Sequence, residues 1–358
     1  MQNRPNRRPP RIRPLKQMRP ALIALIDILV IGVCLCIFAL FDHVIPQPSR
    51  RVVSTTPPPA SATTPAPAST VSPDASVSPD ASVSPDASVS PEATNAPAAV
   101  GDFSARFADK FTSGEVIKTE TSYQSANVNI TLSTHRDDEN DQTYYIEDIY
   151  IRSIECLRTL FADDAFGKAI SEDVLSMANR ANAVAAINSD YYGYGSGGIV
   201  IRNGELYRDK WEDGEEVLVI FRDGTMRVYR DQSELDISQA MADGAWQSFS
   251  FGPAFLDGDG QLRPEGYART NHDPRTIIGM VEPGHYMFIV IDGRQSGYAR
   301  GMTYTECARL CQSLGLTTAY NLDGGRTSQM TFLGAITNQP YKDGRPTSDI
   351  IYIADTAG

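Results

Sequence analysis

Histidine and cysteine are scarce: four and five residues in a chain of 358. The histidines, His43, His135, His272 and His285, are scattered. A structural zinc site needs four thiolate or imidazole ligands at close spacing, so no metal site is expected from these residues. A divalent ion held by free carboxylates stays open. There is no HExxH helix and no glycine-rich phosphate loop, which removes two common catalytic frameworks. "GYGSGG" (193–198) places Tyr194 where a serine-nucleophile elbow needs glycine, and reads instead as a flexible loop or lid. "LDGDGQL" (256–262) places Leu262 where a calcium loop needs glycine, and reads as a hairpin turn.

Basic residues are also in short supply beyond residue 100. Of 44 acidic residues only six precede position 101, whereas nine of the 32 basic ones do, so residues 101–358 carry a net charge of −15. Phosphate backbones demand a basic surface, so nucleic acid is not an expected partner. A local cationic pocket remains compatible with that balance. Cys34 and Cys36 fall in an apolar run. Cys156, Cys307 and Cys311 read as small buried apolar groups, with a disulfide from Cys156 to one of the other two as the alternative.

What is present divides by composition. Residues 1–20 hold seven Lys/Arg and no acid, and read as a basic cytoplasmic tail. Residues 21–41 are apolar except for Asp27. Twenty-one helical residues reach about 31 Å, the thickness of a bilayer core. The run is too long for a cleaved signal peptide, so residues 21–45 are expected to be a single transmembrane anchor in contact with the lipid bilayer. The preceding basic stretch keeps the N-terminus in the cytoplasm and exports the rest. Residues 46–100 are rich in Pro, Ser and Ala and repeat VSPDAS from Val71, a composition that buries no core and reads as a disordered linker.

Residues 101–358 form the globular part. Asn203-Gly204, Asp223-Gly224 and Pro283-Gly284 each sit between apolar runs and predict three hairpins. "TYTECARLCQSLGL" (303–316) predicts a helix capped by Thr303 or Thr305 and ended at Gly315, and "SEDVLSMANRAN" (171–182) a shorter one capped by Ser171. Many hairpins with few helices, and no regular strand–helix alternation, give an α+β fold with a mainly antiparallel sheet.

Four polar turns follow expected buried strands: "INSDYY" (187–192), "HDPRTIIG" (272–279), "VIDGRQSG" (290–297) and "NLDGGRTS" (321–328). Loops set on a rigid sheet are where sites are built. These four supply Asp190, Asp292 and Asp323, Arg275, Arg294 and Arg326, and Asn188 and Asn321. Consecutive Gly324 and Gly325 are costly unless something approaches the backbone there.

In this order, "AAINSDYY", "DPRTIIG", "IVIDGR" and "AYNLDGG", with the long helix between the last two and "GRPTSDIIYIA" closing the chain, resemble the phosphodiester glycosidase family. The resemblance covers about residues 125–355. It implies a hydrolase that cleaves a sugar from a sugar-1-phosphodiester, with a carbohydrate-phosphate as partner; no cofactor is expected, a divalent cation staying possible. Carried onto this sequence, the catalytic candidates are Asp323, then Asp292, with Arg275 and Arg294 stabilising the departing phosphate through two-pronged bonds. Asn188, Asp190, Thr276, Asn321, Gly324, Gly325, Arg326 and Ser328 are the substrate-binding candidates. Neighbouring guanidiniums are expected to hold Asp323 ionised. Arg326, Thr327 and Ser328 stand where the family usually has a glycine and two serines, so Arg326 is expected to fill backbone space that is otherwise open. The alternative class is a non-catalytic binding module for phosphate-linked wall or capsule polysaccharide.

Overall fold

The computed structural model describes residues 50–51, 100–263 and 266–356. The expected basic tail and transmembrane anchor lie outside the described residues, as does nearly all of the linker. Among the described residues no helix is long and apolar enough to cross a membrane, and no group of His, Cys, Asp and Glu is placed to hold a metal ion.

An eight-stranded antiparallel sheet runs in the order Ala254–Asp257, Thr318–Asn321, Arg275–Glu282, His285–Ile291, Gln142–Ile151, Val128–Asp137, Ser122–Gln124, Ile117–Lys118. A five-stranded antiparallel sheet runs Ala335–Ile336, Met330–Phe332, Ala185–Asn188, Asp349–Ile353, Leu157–Phe161. The three expected hairpins form. Gly198–Arg202 pairs with Glu205–Lys210 around Asn203 (φ +52°) and Gly204 (φ +78°). Val217–Phe221 pairs with Met226–Tyr229, and Arg275–Glu282 with His285–Ile291.

Alternation along the large sheet explains its two buried faces. Ile130, Ile149, Ile278 and Phe288 pack with Ile187, Met330 and Ile351 of the five-stranded sheet. Ile277 and Ile289 face the other way and pack with Cys307 and Cys311 of helix Tyr304–Ser313. Thr303 caps that helix in a reciprocal box with Glu306. Cys156, Cys307 and Cys311 are free and buried, and burial pushes the Cys156 thiol up to about 11.

Three local expectations fail for identifiable reasons. The helix at 174 begins after Asp173, not Ser171, because Glu172 is held extended by a backbone bridge to Thr347. "LDGDGQL" turns without making a hairpin: Ala254–Asp257 pairs with Thr318–Asn321, and Gly258 and Gly260 both donate to the Thr317 carbonyl. A short helix, Ile237–Ala242, also forms where no periodicity announced one; the Asp236 side chain accepts from Gln239 N and caps it.

One buried group works against the fold. Glu147, opposite Leu132 and Phe288, is fully buried, and neither carboxylate oxygen has a partner among the described residues. Burial raises its pKa well above the ordinary value of 4.5. Above that pH the unfolded chain releases the proton while the folded chain keeps it, so stability falls as pH rises towards the folded value. Glu147→Met is therefore expected to stabilise the domain by about 1–3 kcal/mol at neutral pH. The gain should grow between pH 5.5 and 7.5, as read by urea midpoints. A variant less stable than the parent across that range contradicts the assignment.

Candidate active site

The sheet registers bring the polar turns to one end of the molecule. Arg275 lies opposite Ile291, and Ile277 opposite Asn321, so the chain enters one strand at Arg275 where it leaves two others towards Asp292 and Asp323. Asp323 N donates to the Ser189 carbonyl at 3.2 Å, which joins this end to the end of Ala185–Asn188 in the other sheet.

A cleft of about 310 Å³ opens there. Five arginines line it: Arg269, Arg275, Arg294, Arg326 and Arg345. Only two carboxylates do, Asp273 and Asp323. Phe251, Tyr304 and the backbone of Gly324 and Gly325 complete the wall. Five cations against two anions, in a chain of net charge −12, concentrate a positive potential in one concave place. Arg275 is buried and stacks on Tyr304, its guanidinium carbon 4.4 Å from the ring centre. Its Nε donates to the Met302 carbonyl at 3.2 Å, and one terminal nitrogen donates to the Asn271 carbonyl at 3.0 Å and Asp273 at 3.4 Å. Arg294 is more open, in a left-handed backbone conformation (φ +59°), and its Nε donates to Asp273 at 2.8 Å.

Asp323 is 6% exposed. Its Oδ2 accepts from Arg345 at 2.8 Å, and Arg345 Nε donates to Thr327 Oγ1 at 2.5 Å. Arg345 favours the ionised form of this carboxyl, as expected of a neighbouring guanidinium, but burial acts against it. Burial raises its pKa above the ordinary value of 3.8, and the bonds from Thr327 and Arg345 offset that only in part.

Of the sequence candidates, Asp323, Gly324, Gly325, Arg275, Arg294 and Arg326 meet in the cleft. Asp292 does not line it. Its carboxylate is spent on Asn338 Nδ2 (2.8 Å), the Tyr298 hydroxyl (2.8 Å) and Gln339 N (2.9 Å), and burial raises its pKa. Asn188, fully buried, donates to the Asp323 carbonyl at 2.7 Å and accepts from Thr276 Oγ1 at 2.8 Å and Gln329 N at 3.1 Å. It and Thr276 pin the turns together from beneath. Asp190 is enclosed with Arg202, which donates to it at 2.9 Å and to Asp349 at 2.7 Å. Asn321 donates to the Gly252 carbonyl at 2.7 Å, and buried Ser328 offers its carbonyl to Asn338.

One further expectation is corrected. Arg326 does not fill backbone space; it is exposed and donates to the Lys342 and Gly344 carbonyls. The paired glycines answer first to the protein itself. A Cβ on Gly324 would lie 2.8 Å from the Pro274 carbonyl oxygen, and one on Gly325 (φ +68°) 3.1 Å from the Arg294 guanidinium.

Sequence reading missed Asp273, Arg269, Arg345 and Phe251. Asp273 lies inside the "HDPRTIIG" turn, and Arg345 inside the closing "GRPTSDIIYIA", so the motifs held the signal without distinguishing these members. Arg269 and Phe251 come from irregular segments with no motif.

Fold and site together define an α+β domain of antiparallel sheets, with an arginine-lined anion cleft beside a buried aspartate. Residues 181–354, just under half of the chain, match the family described as phosphodiester glycosidase. The protein SPbeta prophage-derived uncharacterized protein YomE of Bacillus subtilis (strain 168) is 38% identical over 184 residues, 48% of this chain and 28% of that protein. The chain thus spans little more than a quarter of that relative's length. The solved catalytic domain of zebrafish N-acetylglucosamine-1-phosphodiester alpha-N-acetylglucosaminidase, auto-inhibited by pro-peptide, shares the fold. Its TM-score is 0.52 at 18% identity, over 72% of this chain and 87% of that one.

Proposed function

We propose that the domain hydrolyses a glycosyl phosphodiester at the bond between the sugar's anomeric carbon and the phosphate oxygen. The observation that carries this reading is the convergence of five guanidiniums on the cleft that holds Asp323. In the proposed step water attacks the anomeric carbon and loses its proton to Asp323. The carbon–oxygen bond breaks, and its electron pair leaves with the phosphate monoester. A phosphate monoester is already a good leaving group, so charge stabilisation matters more than a strong general acid. Arg275 and Arg294, tied together through Asp273, face that developing charge. Burial raises the Asp323 pKa, which moves the carboxylate towards a better match for proton transfer near neutral pH.

The second reading, a non-catalytic receptor for a phosphate-linked polysaccharide, is favoured by one observation: Arg345 already occupies Asp323 Oδ2. One assay decides. The zebrafish relative's name makes methyl-capped N-acetylglucosamine 1-phosphate the first substrate to try. The expected products are free sugar and methyl phosphate, and in ¹⁸O-water the label enters the sugar. Label in the phosphate assigns the chemistry to phosphorus instead, and binding without products supports the receptor.

We further propose that residues 21–45 hold the domain outside the cell membrane, N-terminus inward, with a cell-envelope polymer as substrate. Protease added to intact cells should then release the domain by cleavage within residues 46–100. Release only after the membrane is opened contradicts this orientation.

A further inference from the structure

The loop after Asp190 presents its aromatic residues in alternation. Tyr192 turns inward, 4% exposed, and stacks on Phe166 with centroids 5.2 Å apart. Tyr191 and Tyr194 turn outward, 40% and 47% exposed. Their rings lie nearly parallel, 16° apart in plane and 4.4 Å between centroids. Neither phenol hydroxyl has a hydrogen-bond partner among the described residues. Two large aromatic side chains left open to water, and stacked on each other, are not what folding alone selects.

Hydrogen bonds hold the loop in this form. Arg208 donates to the carbonyls of Tyr192 (3.1 Å), Gly195 (3.3 Å) and Gly198 (2.8 Å). At its base the Asp190 carboxylate accepts from Tyr192 N at 3.2 Å and Ser250 N at 3.0 Å. Glu212, next to exposed Trp211, lies against Gly197 of the same loop.

The surface is joined to the cleft. The Arg345 guanidinium carbon lies 5.9 Å from the Tyr191 ring centre and 5.6 Å from that of Tyr194, while the same side chain bonds Asp323. Tyr191 also meets Phe251 edge to face at 6.3 Å. Arg345 and Phe251 line the cleft, whereas Tyr191 and Tyr194 stand one layer outside it. A ring resting on them is therefore not the sugar whose anomeric carbon meets Asp323, but its neighbour.

We propose that Tyr191 and Tyr194 form a distal saccharide subsite, and that the substrate is a chain of sugar units rather than a single capped sugar phosphate. This rests on the glycosyl phosphodiester reading of the cleft. An outer face of this stacked pair, with free phenols beside it, offers the apolar face of a sugar a stacking surface, and its hydroxyls hydrogen-bond partners, at small cost in side-chain entropy. Residues 101–358 carry a net charge of −15, which offers an anionic polymer little general attraction, so neutral contacts of this kind suit its flanking units.

The test compares a methyl-capped tetramer of N-acetylglucosamine 1-phosphate with the methyl-capped monomer. The wild-type protein should prefer the tetramer by about ten-fold in kcat/KM, the worth of one good stacking contact. Tyr191→Ala/Tyr194→Ala should erase that preference through KM on the tetramer, and Tyr191→Phe/Tyr194→Phe should retain most of it. Tyr194→Ala alone serves if the double variant does not fold. Equilibrium binding of both probes to Asp323→Asn protein, with and without the tyrosine changes, keeps the subsite measurable where turnover is absent. The inference is overturned if the tetramer has no advantage in either measurement, or if the advantage survives the alanine changes.

Discussion

Asp323→Asn lowers turnover by about 10²–10⁴ while the domain melts at the same temperature or higher. The rate loss is the usual worth of one acid–base group. The stability side follows from burial. A carboxyl whose pKa is raised in the fold is a group whose charge the fold disfavours, and the neutral amide removes that charge while its oxygen can still accept from Arg345. The backbone bonds of the turn, Asp323 N to Ser189 and the Asp323 carbonyl to Asn188, do not involve the side chain and remain. The wild-type pH profile carries the same signature. As pH falls through the raised value Asp323 gains its proton and stops accepting another, so the acid limb of kcat/KM lies above 3.8, the ordinary aspartate value. A melting temperature that drops by several degrees with activity largely kept makes Asp323 a turn residue.

Much of the fold was written in local pattern. Asn203-Gly204 supplies the two positive-φ positions a tight hairpin needs, and the Cys307, Leu310, Cys311, Leu314 stripe marks the helix face that covers the large sheet. Such signals are short-range, so one chain reveals them. The site was legible only in part, because a polar residue at the end of an apolar strand has two fates that look alike in sequence. Asp323 faces the cleft. Asn188, in the first of the four turns, faces orphan backbone groups between the sheets and satisfies them. Asp190 balances Arg202, a cation buried among apolar neighbours whose position depends on the Gly198–Arg202 strand. Asp292 is consumed by Asn338 and Gln339, more than forty residues away along the chain. Which fate applies is set by contacts of high sequence separation. Asp273 and Arg345 were overlooked for the same reason: each matters through its partners, Arg294 for one and Asp323 for the other.

Arg275→Lys costs about 10²–10³ in turnover, whereas Arg294→Lys costs less than about ten-fold, although both conserve charge in the same cleft. The upper figure is the usual worth of a preorganised donor at a developing anion. Arg275 earns it by being fixed. Its guanidinium is buried, stacked on Tyr304 and bonded to the Met302 and Asn271 carbonyls, so its remaining donors are aimed without reorganisation. An ammonium cannot stack flat on the ring or reach both carbonyls while still presenting a donor to phosphate. Arg294 is 43% exposed with one bond, to Asp273. A lysine there can reach the same carboxylate from solvent, and in water its charge is worth less. Loss of the buried bonds also makes Arg275→Lys less stable, so kinetics must be read well below the melting temperature. The sharper control is Asp273→Asn, which leaves Arg275 in place and frees both guanidiniums from their shared anion. It should raise affinity for methyl phosphate while lowering turnover, because the cations bind more freely and are aimed less well. If instead Arg294→Lys proves the more damaging substitution, the leaving phosphate is held at the open side of the cleft, and Arg275 serves to shape the wall.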